Sequence, residues 1–153
     1  MTIGLISDTH GLLRPEALDE LRGVSHILHA GDVGQMEIVR RLEELAPVTV
    51  VRGNIDERGE CAGLPLTAAL TVGNIRILVL HDLHDLDPGP GARVVVFGHT
   101  HRPLVKETDG VLYVNPGSAG PRRFSLPVSA GRLYVEGETV RAELIALARS
   151  APS

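Results

Sequence analysis

Seven carboxylate, amide and imidazole side chains stand where short apolar runs of this chain end: Asp8, His10, Asp32, Asn54, His81, His99 and His101. Mixed carboxylate and imidazole donors suit manganese, iron, nickel or zinc, and the lack of thiolates argues against a structural zinc site. Seven donors are too many for one catalytic ion that must keep a position open. They suit two divalent ions that share a bridging carboxylate. Two such ions against two carboxylates leave a positive centre that attracts phosphate, and a water held by both becomes hydroxide near neutral pH. The chemistry expected is hydrolysis of a phosphoester.

The elements that must position these residues can be read from periodicity. Residues 3–7 predict a strand running into Asp8-Thr9-His10-Gly11, and Pro15 suits the first turn of a helix carrying Ala17, Leu18 and Leu21 on one face. Residues 25–29 predict a second strand before Ala30-Gly31-Asp32. The spacing of Ile38, Val39, Leu42 and Leu45 predicts an amphipathic helix over 35–45, and 48–51 a third strand before Gly53-Asn54. Strand, helix, strand, helix, strand implies parallel βαβ units, with ligands gathered beyond the carboxyl ends of the strands. Three hairpins are then expected: 66–72 with 75–80 around Gly73-Asn74, 104–107 with 111–115, and 127–135 with 139–145. Residues 94–97 predict a buried strand before His99. The sum is one α/β domain over 1–153, two sheets face to face with helices outside. The Pro/Gly run at 88–91 reads as a short stiff loop, and 150–153 as a frayed end.

Composition narrows the function. The 153 residues are 43% hydrophobic with a net charge of −4, which fits a globular chain and offers no extended basic surface for nucleic acid. Cys61 is the single cysteine, so no disulfide framework exists, in keeping with a cytoplasmic location. No apolar run suggests a signal peptide or membrane span. A dinucleotide-binding domain is poorly supported, because the first strand leads into Asp-Thr-His-Gly and not a Gly-x-Gly-x-x-Gly turn.

The ordered blocks Asp8-Thr9-His10, Gly31-Asp32, Gly53-Asn54-Ile55-Asp56, His81 and Gly98-His99-Thr100-His101 resemble those of the calcineurin-like metallophosphoesterases. Asn115-Pro116-Gly117-Ser118 with Pro121-Arg122 is similar to the family's small bacterial and archaeal phosphodiesterase branch. The resemblance spans residue 3 to about 145 and implies a four-layer αββα sandwich. It also implies one ion on Asp8, His10 and His101, another on Asn54, His81 and His99, and Asp32 as the bridge. Mn²⁺ is the first choice of metal, with Ni²⁺, Fe²⁺ or Zn²⁺ as alternatives. Asp32, Asn54 and His81 are taken as catalytic, and the expected substrate is a small phosphodiester. A phosphomonoester is the closest variant, and a dimer is compatible with all of this.

Two positions depart from the family pattern. The wider family has histidine after the asparagine, placed to protonate the leaving group, and this chain has Ile55. The family commonly has glycine where Asp82 stands, followed by a helix, for which the short segment before residue 94 leaves little room. Asp82 or His84 is expected to lean into the cleft in partial compensation, and Arg122 with Arg123 to offer a basic fork for phosphate. His29 is read as a packing histidine behind the ligands, Asp56 as a loop-fixing carboxylate, and Gly117 as a place where backbone approaches substrate. The alternative to catalysis is a non-catalytic scaffold like the retromer's small subunit, which resembles the same fold.

Overall fold

The computed structural model describes residues 1–86, 91–122 and 126–147; most of the 88–91 loop, Arg123 and the 150–153 terminus lie outside them. Strand β1 (Thr2–Ile6) is followed by α1 (Pro15–Glu20), β2 (His26–His29), α2 (Met36–Glu43) and β3 (Val48–Val50). Then come β4 (Thr67–Val72), β5 (Ile75–Leu80), β6 (Val94–Val96), β7 (Leu104–Thr108), β8 (Val111–Asn115), β9 (Ser129–Glu136) and β10 (Thr139–Ala146). Each predicted element is present, with ends moved by a residue or two. Two single 3-10 turns, Glu60–Gly63 and Leu83–Asp85, carry no periodic signal and were not foreseen.

Two five-stranded mixed sheets form, in the orders β10-β9-β1-β2-β3 and β4-β5-β6-β8-β7. β1, β2 and β3 are parallel, as the βαβ pattern requires, and the last hairpin returns to pair β9 antiparallel to β1. In the second sheet β5, β6 and β8 are parallel neighbours. The inner faces meet in an apolar core that includes Ile3, Leu5, Leu28, Ile77, Val79, Val94, Val96 and Leu133. Alternate residues of the same strands, Ile6 and Ile27, turn the other way onto Ala17, Leu21, Ile38 and Leu42 of the helical layer. Burying such a side chain fully contributes about 1.5–3 kcal/mol, so the period-two pattern fixes the register.

This is the αββα sandwich, with its fourth layer thinned. Between His81 and β6 the described residues form only the 3-10 turn at Leu83–Asp85, and Leu83 and Leu86 cap Leu80, Val95 and Phe97 there. No helix is long and apolar enough to cross a membrane among the described residues.

Candidate metal centre

The loops leaving β1 and β2 run side by side. Asp8 N–H donates to the Gly31 carbonyl at 3.0 Å, His10 N–H to Asp32 O at 2.8 Å, and Gly11 N–H to Val33 O at 2.9 Å. In the second sheet Gly98 N–H donates to His81 O at 3.0 Å, which ties the β5 and β6 exits together. Two glycines allow the carboxylates to sit where they do. A Cβ on Gly53 would occupy the space of the Asp32 carboxylate, and one on Gly98 would collide with Ser7 Oγ and crowd Asp8 Oδ2.

Five of the residues expected to be ligands are held in costly backbone conformations. Asp8, His10, Asp32, His99 and His101 all have φ between 47° and 75°, and Asp109, in the β7–β8 turn, is the sixth such non-glycine residue described. A left-handed φ costs a β-carbon-bearing residue on the order of 1–3 kcal/mol, and strain of this kind gathers at functional sites. Here it turns each side chain away from its strand direction and toward one point between the sheets.

What converges there is two overlapping sets of donor atoms. In the first, His101 Nε2 lies 3.4 Å and His10 Nε2 3.8 Å from Asp8 Oδ1. In the second, Asn54 Oδ1 lies 2.9 Å from His81 Nε2 and 3.2 Å from His99 Nδ1. Asp32 Oδ2 belongs to both, 3.3 Å from His10 Nε2 and 3.2 Å from His81 Nε2. An octahedral ion with bonds of about 2.1 Å has donor–donor edges of about 3 Å, so the spacing suits first-row divalent ions.

Each carboxylate keeps one oxygen for this purpose and has the other fastened. Asp8 Oδ2 accepts from Ser7 Oγ at 2.7 Å and from His99 N–H, and Asp32 Oδ1 accepts from Ile55 N–H at 3.0 Å. His81 Nδ1–H donates to the Ala30 carbonyl at 2.8 Å, which aims Nε2 at the centre. Asp8 Oδ1 and His10 Nε2 are buried and have no hydrogen-bond partner. Buried polar atoms left unmatched are what a missing cation explains. Hydrogen bonding alone would turn the Asn54 amide to place its nitrogen 3.1 Å from Asp32 Oδ2; a cation calls for the oxygen there. The residues present fit divalent metal.

Without metal the same groups pair with one another. For Asp8, burial works to raise the pKa, but the His10 and His101 imidazoles facing its carboxylate prevail and lower it to about 2. Asp32 is likewise pulled well below the carboxylate range, its burial outweighed by His10 and His81. Asp32, then Asp8, raise His10 to about 9. Burial opposes charge on His81, yet Asp32 and Asp8 raise its pKa as well. Metal must therefore displace protons from the imidazoles it takes.

The supporting residues are as informative. Asp56 accepts three backbone N–H groups at 3.0 Å each: Val33 and Gly53 on Oδ2, Gly34 on Oδ1. It thereby locks the β2 exit to the β3 exit, the loop-fixing role expected of it. His29 is fully buried, accepts from Gly31 N–H at Nδ1 and faces Thr9 Oγ1 with Nε2 at 3.0 Å. Thr9 gives its only hydroxyl hydrogen to Val33 O, so His29 must donate from Nε2 and is the neutral Nε2–H tautomer. Burial agrees, lowering its pKa to about 4.

The remaining expectations divide. The His84 ring does not lean into the cleft; it is 97% exposed, with Nδ1 3.3 Å from Asp82 Oδ1. Asp82 does line the cleft, its Oδ2 4.0 Å from His99 Nε2. Arg122 is exposed and is not among the residues lining the cleft, and Arg123 lies outside the described residues. Gly117 approaches Ser129 Oγ and Pro103, not a substrate space, because its loop is buried. Asn115 instead does the positioning: its Nδ2 donates to Gly98 O at 3.2 Å and Thr100 Oγ1 at 3.1 Å, bracing the His99–His101 loop. Sequence reading missed the cleft wall of Arg52, Glu57, Leu66 and Asp85, which no motif marks.

The model of the calcineurin-like phosphoesterase superfamily domain matches residues 1–138. The chain belongs to that superfamily. A Methanothermobacter thermautotrophicus protein named a probable metallophosphoesterase is 38% identical over 95% of this chain and 92% of its own length. A phosphodiesterase of Methanocaldococcus jannaschii is 26% identical over 76% of this chain and 83% of its own. Among solved structures, zinc-complexed Vps29 from Entamoeba histolytica is similar with a TM-score of 0.75 and 25% identity, covering 95% of this chain and 99% of that one. This superfamily member is therefore a metallophosphoesterase, a hydrolase with a metal-binding site.

Proposed function

We propose that this metallophosphoesterase hydrolyses small phosphodiesters with two divalent ions, Mn²⁺ first among them, as a single-domain cytoplasmic enzyme without an extended nucleic-acid surface. Asp8, His10 and His101 would hold one ion and Asn54, His81 and His99 the other, with Asp32 placed within reach of both sets. One observation carries the reading: Asp32 Oδ2 stands 3.3 Å from an imidazole of one set and 3.2 Å from an imidazole of the other. Ions bound there would polarise the phosphate and activate a water for in-line attack.

The chain's own residues do the rest. Ser7, the Ile55 N–H and the Ala30 carbonyl fix which atoms face the centre. Ile55, 44% exposed beside Asn54, offers no proton to the departing oxygen. As the P–O bond breaks, the leaving alkoxide takes its proton from water in the open cleft, so good leaving groups are favoured. The similarity to a named phosphodiesterase supports a diester over a monoester.

The test is to strip the metal and assay bis(p-nitrophenyl) phosphate and p-nitrophenyl phosphate with Mn²⁺, Ni²⁺, Zn²⁺, Mg²⁺ or none, with Asp32→Asn alongside. Metal-restored diester hydrolysis that the variant loses is the expected result. No turnover despite bound ions would favour the scaffold reading, to which Ile55 and the fold shared with Vps29 point.

A further inference from the structure

A cleft opens onto the Asn54 side of the centre. It has a volume of about 480 Å³ and reaches the Asn54, His81 and His99 side, while Asp8, His10 and His101 do not line it. His101 and Asp8 are buried, whereas Asn54 and His99 are exposed. An ester group that extends over the Asn54 side enters the space between the β3 exit, the start of β4 and the β5 exit. That space carries three carboxylates, Glu57, Asp82 and Asp85, against one guanidinium, Arg52. Arg52 already gives Nη1–H to the Ala62 carbonyl at 3.2 Å, and its N–H to Pro65 O braces the wall that bears Leu66.

We propose that this cleft selects phosphodiesters whose alcohol carries a primary ammonium, and disfavours those with a second anionic group. The proposal rests on the phosphodiesterase reading above and deepens it. The scissile phosphate goes to the centre, onto which Asp8 Oδ1 faces buried and unpartnered. The remainder of the substrate meets carboxylate oxygens, which accept hydrogen bonds from an ammonium and repel phosphate, sulfonate or carboxylate. Primary ammonium fits better than a quaternary one, because among the described residues no aromatic ring lines the cleft apart from the two imidazoles. These carboxylates are largely exposed, so the discrimination is modest, roughly 3- to 10-fold in kcat/KM.

Three esters of one leaving group test this on the metal-loaded enzyme: p-nitrophenyl 2-aminoethyl, propyl and 3-sulfopropyl phosphate. Propyl replaces the ammonium by an isosteric methyl, so the first pair differs in charge and hydrogen-bond donation but not in shape. The expected order is aminoethyl over propyl over sulfopropyl, with the first preference shrinking in 0.5 M NaCl. In the double variant Glu57→Gln, Asp85→Asn the aminoethyl-to-propyl ratio falls toward one. Hydrolysis of all three at equal kcat/KM, or a ratio the double variant leaves unchanged, overturns the charge selection and leaves the phosphodiesterase standing. No hydrolysis of any ester by an enzyme with its ions bound overturns both.

Discussion

Replacing Asp56 by asparagine separates the scaffold of the centre from its ligands. Its carboxylate is 1% exposed and accepts three backbone N–H groups, two on Oδ2 and one on Oδ1. Asparagine is nearly isosteric but keeps one oxygen. Its best orientation retains Val33 and Gly53 and turns an NH₂ group against the Gly34 N–H. Losing one hydrogen bond to a charged acceptor costs about 1.5–3 kcal/mol, and the two survivors, now to a neutral oxygen, weaken by about 1 kcal/mol each. The expected destabilisation of the metal-free protein is about 3–5 kcal/mol, large against total stabilities of about 5–15 kcal/mol yet compatible with folding. Urea denaturation with EDTA present measures it as a lower midpoint at unchanged slope. Because Val33, Gly34 and Gly53 flank Asp32 and Asn54, Mn²⁺ affinity by calorimetry should also fall, by about 10-fold or more. A change below 1 kcal/mol, with metal affinity intact, would refute the idea that this carboxylate holds the two loops together.

Ile55→His, restoring the residue common in the family, should raise kcat on diesters with poor leaving groups by at least about 10-fold, since positioned acids give about 10²–10⁴; its half-exposed site makes a stability change beyond about 0.5 kcal/mol unexpected. Gly53→Ala should displace Asp32 and abolish tight metal binding, measured by metal content after dialysis, while circular dichroism still reports a folded chain. The metal-free protein should be most stable near pH 6.5 and should lose stability from there down to about pH 4, where the unfolded chain protonates His29 and the folded one, its buried imidazole lowered to about 4, does not. Above pH 6.5 His10, raised from 6.5 to about 9, loses its proton and with it a contribution of about 3 kcal/mol. Below about pH 4 Asp8, lowered from 3.8 to about 2, is protonated and a contribution of about 2.5 kcal/mol goes. Denaturation midpoints across pH 3–9.5 check both limbs, and His10→Gln should flatten the alkaline one.

How much of this could be read in advance varied with the physics of each residue. The strands and their partners followed from alternation, because Ile3, Leu5 and Leu28 face one core while Ile6 and Ile27 face another. The gathering of the donor side chains followed from polar residues ending apolar runs. His84 did not: whether its ring leans in or out depends on a short turn and on Asp82, and periodicity says nothing of that. The clamp by Asp56 could be anticipated as a loop role, but its three partners lie 3, 22 and 23 residues away and only the fold joins them. The charge of the cleft was hidden for the same reason, since Glu57, Asp82 and Asp85 meet only across the two sheets.

The order of the strands in the first sheet governs how the molecule can be made. β1, the first strand synthesised, is central and pairs on one side with β9, almost the last, and the N-terminal ammonium binds the Val135 carbonyl at 2.7 Å. A nascent chain on the ribosome thus keeps an open edge on β1 until β9, at Ser129–Glu136, has emerged. The donor atoms are divided between the sheets, from Asp8 to His101, so a captured ion cannot rescue an incomplete chain. Long-range pairing of this kind slows folding and exposes strand edges meanwhile. Removal of β9 and β10 should therefore yield an aggregating polypeptide, not a smaller enzyme.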